Sequence, residues 1–369
     1  MENFENPESK ILQVVTGILE KNGGPIKSAL TLHKVYLDSN STILTIGPND
    51  SKLVDKIDSS RILALPSIFR NEYGISLQLI QILRIIRSKT IIIHHGFYLA
   101  SLIYSLLFVR KNSKVLILAH GSFQRFSRYH RRILKNLFIL FFKLLSKRKI
   151  SIRFVAMTVA EVSDIRDFFP DSDVVVSGLG FDLDVDRKES TDIASPTLLC
   201  LSRITQKKRI DLCIKSLAIV KHSYPHIRLV IAGSGKKKLV NSLSKLVMDL
   251  HLRNHVEFVG HISEKGAFEK LFANSDMLLL PSEDENFALT VAEAIIRGLP
   301  VVVSKNVGLS EVVMERNCGL VINSLEEHEV SHAILEVLAN WSYYNKNCAL
   351  TLDFFSHDRV KRVWSLILN

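Results

Sequence analysis

Two glutamates, Glu285 and Glu293, stand with seven residues between them in the stretch Pro281-Ser-Glu-Asp-Glu-Asn-Phe-Ala-Leu-Thr-Val-Ala-Glu-Ala-Ile-Ile-Arg-Gly-Leu-Pro300. The stretch opens where an apolar run ends, turns through polar residues and enters a helical pattern from about Phe287, with Asn286 as its cap. The first amides of such a helix lack internal partners and carry the positive end of its dipole, so a phosphate is favoured there. Glu293 then lies about 9 Å along the axis at ~1.5 Å per residue. At that distance from a diphosphate a carboxylate is placed to accept both hydroxyls of a ribose, and Glu285 is placed to hold hydroxyls of a sugar on the other side. A pair of solvated acids on an amphipathic helix is the plain alternative.

Other residues carry chemistry by their place at the ends of apolar runs. Gly23-Gly24 follows the first run and precedes Pro25, where its amides could meet phosphate oxygens or simply make a turn. Gly233-Ser234-Gly235 reads first as a tight strand-to-helix turn, with nucleotide proximity second. His94, His95 and His120 each end a run.

The elements that must position these residues are legible as an alternation. Short β-branched runs occur at 11–15, 42–46, 62–65, 90–95, 114–120, 153–158 and 173–177, and again at 197–202, 227–233, 256–260, 276–282, 300–304 and 319–323. Runs that are apolar at every position suit parallel strands covered on both faces, and alternation with helices implies right-handed crossovers in doubly wound sheets. At 369 residues the chain predicts two domains. The polar stretch Asp182–Pro196 is the expected joint, which divides the chain into 1–186 and 187–354, with a C-terminal helix at about 355–369 packing back on the first domain. Ligands of open parallel sheets sit beyond the carboxyl ends of the strands.

Composition narrows the class. The four cysteines lack metal-site spacing and read as packing residues. Met1–Lys10 is acidic and polar, so a cytoplasmic protein without a signal peptide is expected. No apolar run reaches the ~18 residues of a membrane span, since Asn136–Leu145 is interrupted by Lys143. The net charge of +11 is uneven: residues 73–160 hold 16 basic side chains and no acidic ones. Such a field attracts phosphates, nucleic acid or an anionic bilayer. With no recognition motif beside the charge, nucleic acid is not expected. The stretch Arg125–Arg153 reads either as a domain helix with charged ends or as an interfacial surface peripheral to the inner face of the cytoplasmic membrane. A G-x-G-x-x-G after the first run is absent, which weighs against a dinucleotide oxidoreductase.

The segment 281–301 resembles the signature of the family 4 retaining glycosyltransferases, through Pro281-Ser282, Glu285, Phe287, Glu293-Ala294 and Gly298-x-Pro300-Val301. Ala288 stands where the family usually has glycine. Leu201-Ser-Arg-Ile-Thr-Gln-Lys-Lys208 looks like the family's Gly-Arg-Leu-x-x-x-Lys-Gly segment, with Ser202 and Arg209 in place of its glycines. Asn306-Val-Gly-Leu-Ser-Glu311 resembles a Gly-Gly-x-x-Glu segment, with Val307 in place of the first glycine, which leaves Gly308 and Glu311 as weaker matches.

The resemblance implies the GT-B fold, two Rossmann-like domains facing each other across a cleft. It implies transfer of a sugar, with retention and without a metal or other cofactor, from a nucleotide-diphosphate-sugar to a glycan or lipid-linked acceptor, as in surface polysaccharide or lipopolysaccharide assembly. It assigns Arg203 and Lys208 to the diphosphate, with Lys207 as a competitor. His120 and Glu285 would orient the sugar. Gly23, Gly24, Gly233, Asn286, Phe287, Ala288, Leu289 and Glu293 would line the donor site. A nucleotide-sugar epimerase of the same fold and a non-catalytic nucleotide-sugar binding protein are the alternatives.

Overall fold

A computed structural model describes the chain apart from residues 1–9, 18–23, 38–39, 48–60, 69–72, 87–88, 110–111, 125–131, 148–149 and 192–193. Its contacts divide into two units, one running to Leu179 and taking in His357–Asn369, the other Gly180–Ser356.

The first unit holds a seven-stranded sheet in the order β3-β2-β1-β4-β5-β6-β7. The strands are β1 Ile11–Val15, β2 Ser41–Ile46, β3 Ile62–Leu65, β4 Ile91–His95, β5 Lys114–Leu118, β6 Ser151–Ala156 and β7 Val174–Val176. Every pairing is parallel, with Leu12 opposite Thr42 on one side and Ile92 on the other. The apolar runs form strands because helices cover both faces and bury alternate side chains in separate clusters. Phe97, Phe123, Phe142, Phe154 and Phe169 build one of these. The C-terminal helix His357–Leu368 belongs to this unit. It buries Val360, Trp364 and Ile367, takes a 3.1 Å hydrogen bond between His357 Nδ1 and Tyr36 Oη, and receives Lys114 Nζ on its last carbonyls, where a cation suits the helix dipole.

The second unit holds six parallel strands in the order β10-β9-β8-β11-β12-β13. These are β8 Thr197–Leu201, β9 Arg228–Ala232, β10 Val256–Gly260, β11 Met277–Leu280, β12 Val301–Ser304 and β13 Gly319–Ile322. Both sheets are doubly wound and Rossmann-like, as the alternation of runs and helices predicted. Cys200, Cys213, Cys318 and Cys348 are free and buried in this unit.

The division at Leu179 lies just before residues 182–196, the expected joint, and these residues bond to the second unit. Lys188 N donates to Arg297 O at 2.9 Å, Asn345 Nδ2 donates to Lys188 O at 2.7 Å, and Lys188 Nζ pairs with Asp276 at 2.7 Å. Arg187 and Lys188 tie the stretch to that unit, while Asp182, Asp184, Asp186, Glu189 and Ser190 stay exposed. Among the described residues no helix is long and apolar enough to cross a membrane.

Candidate functional site

The loops after β8, β11 and β12 meet in one polar cluster. After β8 the chain runs extended to Ile204, whose amide donates to Ser234 O at 2.8 Å, and then makes a short 3-10 turn at Gln206–Lys208. The turn presents two ammonium groups to one carboxylate: Lys208 Nζ lies 2.6 Å and Lys207 Nζ 3.3 Å from Glu285 Oε1. Ser282 Oγ donates to Lys207 O at 2.9 Å and Lys207 Nζ donates to Asp284 O at 2.9 Å, so the two loops are sewn together by side chain and backbone. Glu285 is tied in turn to the loop after β12, its amide on Asn306 O at 3.1 Å and its carbonyl accepting from Gly308 N at 2.9 Å.

Burial and charge oppose each other at this cluster. Burial pushes the Lys208 ammonium below its ordinary pKa, with Lys207 and Arg203 pushing the same way and Glu285 opposing them. Burial works against the charge of Glu285 too, but the two lysines outweigh it and hold the carboxyl below the usual carboxylate range. The result is a dense patch with more positive than negative charge. Arg203 lies exposed beside it and forms no ion pair among the described residues. An arriving diphosphate would find one free guanidinium and two ammonium groups that share a single carboxylate.

The helix after β11 begins later than its sequence suggests. It spans Leu289–Ile296, and Ala288, not Asn286, precedes it in the left-handed conformation with φ 68°. An L-residue there costs roughly 1–2 kcal/mol, which only glycine avoids. Arg209 also adopts φ 50°, held by Asp211 at 3.1 Å and Glu283 at 3.5 Å. Both positions where this chain departs from a glycine of the resembled pattern and bears a positive φ are thus filled by side chains that accept the strain. Phe287 is buried and stacked 6.2 Å from Phe181, so its backbone and not its ring is available to a ligand. Leu289 is half-buried at the start of the helix.

Glu293 lies inside that helix and is paired with Arg297 one turn on. Arg297 is buried, donates to both oxygens of Glu269 at 2.9 Å, and lies 4.9 Å over the Phe272 ring. The i, i+4 spacing makes the first of these contacts visible in sequence, whereas Glu269 is 28 residues away and gave no signal.

Gly233 supports the turn reading. Its φ is +141° and an added Cβ would lie 1.8 Å from Ser202 O, so the position tolerates no side chain. Gly235 is similar, with Ile204 O at 2.4 Å. Val307, in place of a family glycine, is fully buried, and Glu311 opens the short helix Ser310–Glu315.

In the first unit, His120 follows β5 in the left-handed conformation, φ 49°, and is half-buried. The next residue, Gly121, donates its amide to Glu161 Oε1 at 2.9 Å, while Met157 N donates to Glu161 Oε2 at 2.8 Å. This buried carboxylate braces the loops after β5 and β6 and was not anticipated from sequence. His120 Nε2 lies 3.2 Å from His95 Nδ1. Burial pulls the pKa of His120 down to about 4, that of His94 to about 3, and that of His95 well below its ordinary value. Gly24 is the first residue of the helix Gly24–Thr31, and Gly23 lies outside the described residues. No group of three or more His, Cys, Asp or Glu side chains that could hold a metal occurs among the described residues.

Residues 184–349 match the family described as glycosyl transferases group 1. An uncharacterised glycosyltransferase of Methanocaldococcus jannaschii is 29% identical over 146 residues, 40% of this chain and 36% of that protein. An alpha-monoglucosyldiacylglycerol synthase of Streptococcus pneumoniae is 31% identical over 144 residues, 38% of this chain and 31% of that one. A GDP-mannose-dependent alpha-(1-6)-phosphatidylinositol dimannoside mannosyltransferase of Mycobacterium tuberculosis is 29% identical over 161 residues, 42% and 40% of the two. The matches thus span well under half the length of these relatives. Among solved structures, Anabaena HepE in complex with UDP superposes with a TM-score of 0.77 at 17% identity, covering 97% of this chain and 99% of that one. WaaG, a glycosyltransferase involved in lipopolysaccharide biosynthesis, gives 0.70 at 14%, covering 97% and 99%. The fold is that of the GT-B glycosyltransferases.

Proposed function

We propose that this chain is a retaining glycosyltransferase. It would move a hexose from a nucleotide-diphosphate-sugar to a glycan or lipid-linked acceptor in surface polysaccharide or lipopolysaccharide assembly, without a metal. The observation that carries this reading is the Lys207–Lys208–Glu285 cluster beside the exposed Arg203, inside the segment that matches the group 1 family. Those cations and the first amides of the helix Leu289–Ile296 would take up charge as the diphosphate departs, the role a metal plays elsewhere. The sugar's C1–O bond to phosphate breaks, and a bond from the acceptor oxygen forms on the same face. The acceptor's proton leaves on the departing phosphate oxygen. Glu293 would bind the ribose, and Glu285 and His120 would orient the sugar. Gly24 and the Gly233 turn would adjoin the donor through backbone alone.

The lipid side of the proposal rests on the helix Arg132–Ser146. It buries Ile139 and Phe142 and exposes Ile133, Leu134, Leu137, Leu140, Phe141 and Leu144. Arg132, Lys143 and Lys147 flank that apolar face, while Lys135 lies 4.8 Å over Tyr98. An exposed apolar stripe with basic neighbours suits an anionic lipid surface at the cytoplasmic face. Two of the similar proteins have names that include a lipid, a phosphatidylinositol dimannoside and a monoglucosyldiacylglycerol. Arg125, Arg128 and Arg131 lie outside the described residues.

A panel of nucleotide sugars, read first by thermal shift and then by release of nucleoside diphosphate with candidate acceptors, tests the reading. One donor should raise the melting temperature by mass action and be consumed, with the product keeping the donor's anomeric configuration in the presence of chelator. Inversion would remove the retaining mechanism, and activity lost to chelator and restored by Mg²⁺ would remove the metal-free one. Stabilisation without turnover across the panel would leave a binding protein.

A further inference from the structure

A chain of hydrogen bonds crosses the interior of the first unit and ends on His120. His33 Nδ1 lies 2.8 Å from Ser41 Oγ, Gln13 Nε2 donates to Ser41 Oγ at 2.8 Å, Gln13 Oε1 lies 2.9 Å from His95 Nε2, and His95 Nδ1 lies 3.2 Å from His120 Nε2. His33, Ser41, Gln13 and His95 are all buried. Gln13 is on β1, the strand between β2 and β4, opposite Ile43 on one side and Ile93 on the other. A leucine at position 13 would suit packing alone, and a buried amide is tolerated because both its ends are bonded.

We propose that Gln13 and His95 are positioning residues that set the ring tautomer of His120, so that Nδ1 faces the ligand as a hydrogen-bond acceptor. Direction along the chain decides the tautomer. A neutral imidazole has one donor and one acceptor, and a hydroxyl and a primary amide each offer both, so protons must point one way along the whole chain. The Gln13 amide gives Nε2 to Ser41 and Oε1 to His95. His95 Nε2 must then carry a proton, and His95 Nδ1 must accept one from His120 Nε2. His120 Nδ1 is left bearing a lone pair, fit to accept from a sugar hydroxyl. Burial keeps both rings neutral at physiological pH, so neither can donate from both nitrogens. A half-turn of the Gln13 amide would reverse every link and present a donor to the ligand instead. The inference rests on the proposed role of His120 only for its consequence in catalysis. The tautomer itself is independent of that role.

The test uses the full chain with ¹⁵N-labelled histidine. Long-range ¹H–¹⁵N spectra should show His120 with a pyrrole-type Nε2 and a pyridine-type Nδ1. Gln13→Met, similar in length but unable to bond, should produce a mixture of tautomers. It should also lower kcat/KM for the donor sugar by about tenfold, the order of one hydrogen bond, with affinity for the nucleoside diphosphate unchanged. Gln13→Glu should restore the wild-type tautomer, because a carboxylate only accepts and so enforces the same direction at His95. If Gln13→Met does not fold, Ser41→Ala cuts the chain one link further on and should give the same mixture. The opposite tautomer in the wild type, or a His120 spectrum unmoved by these variants, overturns the proposal. A tautomer that shifts as expected in a protein with no transferase activity would instead remove only the function proposed above.

Discussion

The two units solve the same packing problem and place their polar groups oppositely. In the second unit β8, β9 and β11 contribute Leu198, Cys200, Leu229, Ile231, Met277 and Leu279 to one dry core, and the charges gather on loops beyond the strand ends. In the first unit β1, β2 and β4 carry Gln13, Ser41, His94 and His95 within the sheet itself. His33 joins them, and His94 Nε2 reaches Ser105 Oγ at 2.9 Å. Chemistry at a rim can be altered without disturbing the fold beneath it. Chemistry within a sheet cannot, and its variants will report folding and function together.

Acid offers the sharpest separation of the two. The unfolded chain protonates its histidines near 6.5, whereas His120 and His94 stay neutral in the fold to about 4 and about 3, and His95 also titrates well below the ordinary value. Between these values the unfolded state binds more protons, so stability falls as pH drops below about 6.5 and continues to fall towards 4 and 3. At pH 5 the loss is about 2 kcal/mol each for His94 and His120, on the scale of 1.36 kcal/mol per unit. Among the described residues the second unit buries no histidine. The chain has two tryptophans, Trp341 in the second unit and Trp364 in the first, so single-tryptophan variants report each unit separately. The Trp364 melt should collapse on acidification well before the Trp341 melt. Parallel loss in both would end the contrast.

Gly233→Ala should strike the second unit alone. Its Cβ would meet Ser202 O at 1.8 Å in a backbone conformation with φ +141°, so β8 and β9 must part. A loss of about 3 kcal/mol is the scale for such strain, read from the Trp341 melt. An unchanged melt would show that the turn adapts and would reopen Gly233 as a position chosen for its ligand.

How much of this was visible in sequence follows from the same contrast. The thirteen strands among the described residues lie within or beside the apolar runs, because a parallel strand covered on both faces needs apolar residues at every position. Backbone states were not visible: nothing in the letters of Ala288 shows φ 68°, so the helix start was misplaced by two residues. Long-range partners were hidden for a different reason. Gln13 and His95 are 82 residues apart, and Arg297 and Glu269 are 28 apart, distances over which no periodicity links one residue to another. The polar stretch 182–196 lies beside the division at Leu179, but its bonds from Arg187 and Lys188 to the second unit join residues about 90 to 160 positions apart and leave no trace in composition.

The smallest effect tests whether the rim is as separable as the contrast requires. Removing one partner of a buried ion pair usually costs 3–5 kcal/mol, because the other charge is stranded. Glu293→Ala should escape that cost, since Glu269 keeps both its bonds to Arg297 and the Phe272 ring still lies beneath the guanidinium. Glu293 is also partly exposed, with about a quarter of its side chain reaching solvent. The variant should therefore melt close to the wild type in the Trp341 channel. If Glu293 binds the ribose, affinity for the free nucleoside diphosphate should fall by roughly 1–3 kcal/mol, the cost of hydrogen bonds lost to a charged acceptor. Titration calorimetry of the nucleotide alone reads this without any acceptor or turnover. A lowered melt with unchanged nucleotide affinity would make Glu293 a structural partner of Arg297 and leave the ribose to some other group.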